Sequence, residues 1–144
     1  MKIQVNKHAP ACHDEEIIID APAEKVYHIL SDITNWPNWQ SKVSETRLYG
    51  QIAPGTRFDW KTGGFRIKSE IHTATSPFEL GWTGKMLWIK AIHNWTFHPE
   101  GKSTRVAVQE SLEGFLAGMI QKTLVKEIKN NLLGLKVEAE QKAK

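Results

Sequence analysis

The chain has 144 residues, of which 40% are hydrophobic and 24% charged, with a formal net charge of +3. That size and balance suit one globular domain and exclude bulk disorder, which needs few apolar residues and a high net charge. No apolar run exceeds three or four residues, against the roughly 20 of a membrane-spanning helix, and a single cysteine, Cys12, excludes an internal disulfide and a cysteine-rich zinc site.

Residues 1–14 show no periodicity and are expected to form an N-terminal arm ahead of a single domain over 15–144. The arm is polar and has no apolar centre, so no secretory signal is expected and the location is read as cytoplasmic. Ile17, Ile18 and Ile19 form a β-branched run that predicts a strand over Glu16–Asp20. Pro22 suits the first turn of a helix, and Val26, Tyr27, Ile29 and Leu30 recur at helical spacing up to Ser31-Asp32. A second short helix is expected around Trp36-Pro37-Asn38-Trp39, with Thr34 or Asn35 as its cap. There Trp39 reads as a packing anchor and Trp36 as a residue at a pocket mouth.

From about residue 43 the period changes to two. Strands are predicted over Val43–Tyr49, Arg57–Thr62, Phe65–Thr75, Glu79–Lys85, Trp88–His98 and Ser103–Glu113, separated by turn residues. Gly63-Gly64 is a two-residue hairpin signal, and Pro99-Glu100-Gly101-Lys102 reads as a longer turn. The rest, about 115–142, is one helix: Leu116, Ile120, Leu124, Ile128, Leu132, Leu135 and Ala139 form a single apolar stripe, and a face of lysines and glutamates lies opposite. Gly134 interrupts this helix at a cost of about 1 kcal/mol relative to alanine, which points to a close approach or a bend. Gly114 and Gly118 flank its entry as a candidate hinge. Strands in series with helices at the ends predict an α+β fold, a long helix on an antiparallel sheet.

Side chains alternate faces along a strand, so hairpin register tests whether the faces agree. Across Gly63-Gly64, Phe58, Trp60, Phe65, Ile67, Ser69 and Ile71 share one face, and Asp59, Lys61, Arg66, Lys68 and Glu70 the other. Pairing His98 with Ser103 puts Ala91, His93, Trp95 and Phe97 on one face with Val106, Val108, Glu110 and Leu112. Glu110 then lies opposite Ala91 and diagonal to His93. His93 and Glu110 are the exceptions on an otherwise apolar face, and Asn131 and Gln121 play the same part in and beside the helix stripe. A mostly apolar surface with a few polar groups is the composition of a ligand pocket. A buried His–Glu pair that simply holds two strands together is the plainer reading.

The segment Ile17-Ile18-Ile19-Asp20-Ala21-Pro22-Ala23-Glu24-Lys25-Val26-Tyr27, continuing to Leu30-Ser31-Asp32 and then Trp36-Pro37 and Trp39, resembles the opening of the polyketide cyclase/dehydrase and lipid-transport superfamily, also called START-like, Bet v 1-like or SRPBCC. Pro54-Gly55-Thr56-Arg57-Phe58, Leu80-Gly81-Trp82, Ser103-Thr104-Arg105-Val106 with Glu110 and Gly114, and the tail Leu132–Glu140 also resemble it. The likeness covers about 15–142. It implies a helix-grip fold: a curved seven-stranded antiparallel sheet around a long C-terminal helix, braced by two short helices, with a cavity for lipids, sterols, polyketides or aromatic metabolites. Members include transporters, hormone receptors, aromatase/cyclases and chaperone activators, so fold alone leaves function open.

The candidate ligand-binding residues are Trp60, Ile67, Trp82, His93, Trp95, Val108, Glu110, Leu124, Ile128 and Asn131, and the candidate catalytic residues are His93 and Glu110. A histidine can move the proton that enol chemistry requires, and a carboxylate beside it orients the ring. The six histidines lack metal-site spacing and no phosphate-binding glycine loop occurs, so neither metal nor cofactor is expected. The lysines are interleaved with glutamates rather than clustered, which argues against nucleic acid. The expected partner is a small hydrophobic molecule, without stable membrane insertion, bound by a monomer or weak homodimer. Three functions compete: a binder of an apolar metabolite, a cyclase or dehydratase acting on one, and an interaction protein whose interior is filled.

Overall fold

A computed structural model describes residues 2–141. Seven strands make one antiparallel sheet: β1 (Ala11–Ile19), β2 (Val43–Leu48), β3 (Arg57–Thr62), β4 (Phe65–Thr75), β5 (Glu79–Met86), β6 (Ile89–Glu100) and β7 (Ser103–Gly114). The sheet order is β1-β7-β6-β5-β4-β3-β2, so β1 and β2 are the edges. Helix α1 (Ala23–Ser31) and a 3-10 helix over Ile33–Asn38 follow β1; a 3-10 turn over Ala117–Ile120 leads into the long helix α2 (Gln121–Gln141). The sheet wraps α2 in a helix-grip fold.

Each element follows from its residues, with some corrections at the edges. In α2, Leu124, Ile128, Leu132, Leu135 and Ala139 are buried, each large side chain contributing about 1.5–3 kcal/mol. The stripe does not reach Leu116. That residue sits at φ 65 ahead of the 3-10 turn and is exposed, so the helix begins later than spacing predicts. Lys142, placed in the helix by the sequence, lies outside the described residues. Gly134 marks a close approach, because a Cβ there would lie 2.7 Å from the Trp39 carbonyl oxygen. Pro22 is the residue before α1 rather than inside it, and its carbonyl accepts from Lys25 and Val26. Asp32, not Thr34 or Asn35, precedes the second helix, and its carboxylate holds both of their side chains.

The Gly63-Gly64 hairpin has the register the sequence predicts, Thr62 opposite Phe65, with both glycines at positive φ. The β6–β7 hairpin does not. Its turn is only Gly101-Lys102, with Gly101 at φ 65 and Glu100 opposite Ser103. Pro99 extends β6 past the end of its pairing with β5, so its missing N–H breaks no ladder there. The register therefore moves by two residues, which preserves both faces. It brings His93 directly opposite Glu110 and puts Ala91 opposite Leu112.

β1 begins at Ala11, inside the stretch expected to be an arm, and pairs with β7 along its whole length. Residues 2–10 form no strand or helix, yet they are pinned across the outer sheet face. Ile3 N–H donates to His72 Nδ1 and its carbonyl accepts from Asn94; Asn6 N–H donates to Ser111 Oγ; Lys2 pairs with Glu79 at 2.7 Å. The free edge of β1 is covered by α2 side chains. Gln121 exchanges two hydrogen bonds with the Cys12 backbone, Lys136 donates to the Ile18 carbonyl, and Glu140 accepts from Asp20 N–H. This covering removes an open strand edge that would otherwise template aggregation.

Candidate functional site

The inner face of the sheet carries one transverse row of directly paired residues: Ile71, Trp82, His93, Glu110 and His13, from β4 to β1. Opposed residues in an antiparallel pair share a face, so these side chains all point toward α2. His93 Nδ1 meets Glu110 Oε1 at 2.8 Å. The pair is almost wholly buried, with His93 at 9% and Glu110 at 8% relative exposure. Truncating one partner leaves the other's buried polar group without its hydrogen bond, a loss of about 1–3 kcal/mol.

Aromatic rings enclose the pair. Trp82 stacks on His93 at a centroid distance of 5.3 Å and on Trp95 at 6.5 Å, while Trp60 meets His93 edge-on at 6.2 Å. Trp36 closes the stack from the 3-10 helix, against Phe58, Trp60 and Trp82. At 1% exposure it is core, not a mouth residue. Its indole N–H donates to the Leu30 carbonyl at 2.8 Å. Trp39, half-buried beneath Gly134, is the packing anchor of that turn.

The indole donors differ in their partners. Trp60 Nε1 donates to Ser69 Oγ at 3.0 Å. Trp82 Nε1 and Trp95 Nε1 are buried with no partner among the described residues. Most buried donors are satisfied, and a lost bond to a buried group costs about 1–3 kcal/mol. Two such donors thus belong to the aromatic stack that holds the His–Glu pair.

Of the residues singled out from sequence, Trp60, Trp82, His93, Trp95, Val108 and Glu110 come together on the inner face, with Leu124 and Ile128 buried on α2. Ile67 and Asn131 are half-buried. The inner face is less deeply buried toward the β5–β6 turn, where Ile67, Ile89 and Ala91 are half-buried in contrast to fully buried Phe58 and Ile71. His13 ends the row opposite Glu110 and is joined at 2.7 Å to Glu15, which faces Val108; sequence reasoning singles out neither. Their signal was parity: Ala11, His13, Glu15, Ile17 and Ile19 fall on one face of β1. Shallow surface grooves over Asp14, Glu16, Thr96 and Gln109, and over Glu45, Arg47, Asp59 and Arg66, lie apart from this row.

No curated protein matches the chain significantly. Solved structures do. A hypothetical protein of Helicobacter pylori superposes with a TM-score of 0.82 at 19% identity, covering 96% of this chain and 98% of that one. A START superfamily protein from Mycobacterium smegmatis gives 0.80 at 15% identity over 90% and 97%. The Zhui aromatase/cyclase from a Streptomyces species gives 0.79 at 11% identity over 92% and 95%. At such identities the likeness is one of fold. The model of one family, described as polyketide cyclase/dehydrase and lipid transport, matches residues 11–140. With nearly the whole domain matched and the sheet-around-helix architecture in place, the chain belongs to the polyketide cyclase/dehydrase and lipid transport family.

Proposed function

We propose that the protein binds a small hydrophobic molecule carrying a hydrogen-bond acceptor, between the sheet and α2. The molecule's polar group lies against His93 and Glu110 and its apolar body against Trp60, Trp82 and Trp95. The observation that carries this reading is the pair of unpartnered indole donors, Trp82 Nε1 and Trp95 Nε1, in the ring stack around a buried His–Glu pair. A carbonyl or hydroxyl oxygen would satisfy what the protein leaves open. Ile67 and Asn131, half-buried, border the more accessible side, and Val108, Leu124 and Ile128 supply apolar wall.

Native mass spectrometry of the purified protein, followed by denaturing extraction, tests this directly. The expected result is a co-purifying apolar compound with an oxygen acceptor, or a thermal shift with lipids or aromatic polyketides where the protein emerges empty. Trp82→Phe, which removes one of the two open indole donors, should weaken binding about fivefold to tenfold, the worth of one hydrogen bond. An empty protein that no such compound stabilises would contradict the reading and favour an interaction protein with a filled interior.

One geometric feature favours a second reading, catalysis. Glu110 holds His93 Nδ1, which leaves Nε2 as the nitrogen able to exchange a proton with a bound carbonyl compound. On this reading His93→Ala abolishes turnover of a polyketide-like substrate while binding stays within a few fold. Unchanged turnover would remove it.

A further inference from the structure

The fold exposes its large apolar side chains most strongly at one end. The two-residue β5–β6 turn is Leu87-Trp88, 75% and 69% exposed. The link from β7 to α2 adds Phe115, Leu116 and Met119, the last at 77%. These two segments touch: the Trp88 and Phe115 rings meet edge-on at 6.2 Å, and Gly114 lies so close to Trp88 that no Cβ fits. Isolated exposed apolar residues are ordinary, but a contiguous group marks a contact surface.

The backbone is strained at the same place. Leu87 (φ 53) and Leu116 (φ 65) are the non-glycine residues with positive φ among the described residues. Glycine or asparagine would relieve the turn and suit water better. Strain held in exposed leucines points to a use for their side chains.

Charge on the adjoining outer face indicates what they meet. Lys68, Lys85 and Lys90 stand directly opposite one another across β4, β5 and β6, one ladder step behind the turn. Like charges so placed repel. None has an ion pair among the described residues. Asp59 and Glu113 stand directly opposite Lys68 and Lys90 at the two ends of the row; each accepts one hydrogen bond from a neutral donor, Tyr49 or Asn6, and keeps its charge, so the row's excess is one positive charge centred on Lys85. Lys122 adds an exposed cation one turn after Met119. A tryptophan and leucines at a tip, backed by unpaired lysines, match the headgroup region of an anionic bilayer, where indole rings settle and lysines meet lipid phosphate.

We propose that the Leu87–Trp88 turn and the Phe115–Met119 link form a docking surface for an anionic phospholipid bilayer, held there by Lys68, Lys85 and Lys90. The docking proposed is peripheral; among the described residues no helix is long and apolar enough to cross a membrane. It stands whether or not the interior takes a ligand.

Flotation of the full chain with phosphatidylcholine vesicles, with and without a quarter of phosphatidylglycerol, tests the proposal. Binding is expected only to the anionic vesicles and to fall with added salt. Replacing both tip residues, Leu87→Ser with Trp88→Ser, should reduce it tenfold or more. Each of Lys68→Gln, Lys85→Gln and Lys90→Gln should reduce it about fivefold. Trp88→Phe, which keeps an apolar ring at an exposed site, should retain most of it. Circular dichroism confirms that each variant folds. Equal binding to neutral vesicles, no binding to either, or binding insensitive to the tip would overturn the proposal. So would a concentration-dependent dimer that the tip substitutions dissolve, which would assign the surface to a second copy of this chain.

Discussion

The two ends of this molecule treat tryptophan in opposite ways. Trp36, beside α1, is packed against Phe58, Trp60 and Trp82, and its one donor is bonded to Leu30. Trp88, on the β5–β6 turn, has one ring neighbour and is 69% exposed. The same side chain is a keystone at one end and a free surface at the other. Between them lie Trp82 and Trp95, buried like Trp36 but without its hydrogen bond. The α1 end holds the densest ring packing around Trp36, although Trp39 Nε1 there is buried without a partner among the described residues, whereas the turn end leaves its large side chains exposed.

The largest effect should come from substituting the two extremes. Trp36→Ala should destabilise by about 3–5 kcal/mol, the cost of a large cavity in a packed core. Trp88→Ala should stay within about 0.5 kcal/mol, as surface changes do. Urea unfolding of both variants measures the contrast, and equal losses would erase it. A smaller effect is expected at Gly134. Alanine there gains about 1 kcal/mol of helix propensity, but its Cβ would meet the Trp39 carbonyl at 2.7 Å. Overpacking should prevail and leave the protein less stable by about 1–2 kcal/mol; a more stable variant would show that the α1 end yields.

The outer face supplies a pH test. Burial pushes the His72 imidazole below its ordinary value of 6.5, with a weaker opposing effect from Asn94 and smaller lowering effects from the N-terminus and Lys2. Its Nδ1 accepts from Ile3 N–H, a bond that protonation destroys. Because the folded value is depressed, the neutral ring stabilises the fold above 6.5, and that contribution is lost as pH falls from there toward the folded value. Melting temperature should drop between pH 7 and pH 5 more in the wild type than in His72→Gln. Identical slopes would show that the N-terminal segment does not depend on this ring. The smallest effect belongs to the turn: Leu87→Gly should stabilise by about 0.5–1 kcal/mol, the left-handed strain relieved less the added chain entropy. No gain would mean that the φ of 53 is not strained.

Much of this was legible in the chain because period and parity are robust. All seven strands, both sheet faces and the α2 stripe from Leu124 onward follow from alternation and helical spacing. The failures are local. Ala11–Asp14 read as an arm because β-branched residues begin only at Ile17, while His13 and Glu15 occupy the inner face. Pro99 read as turn, which misplaced the β6–β7 register by two and hid the direct facing of His93 and Glu110. The faces survived because a slip of two preserves parity. Trp36 read as a mouth residue because nothing in a Trp-Pro-Asn-Trp run says which indole turns inward. The bonds that distinguish Trp36 and Trp60 from Trp82 and Trp95 depend on backbone and hydroxyl groups distant in sequence, and only the fold brings them together.

The most direct measurement is the set of indole N–H resonances by 15N NMR, with and without a saturating apolar ketone such as 1-acetonaphthone. The Trp82 and Trp95 signals should move strongly while those of Trp36 and Trp60, already bonded, hold still. No binding, or binding that leaves Trp82 and Trp95 unmoved, would contradict the proposed binding site.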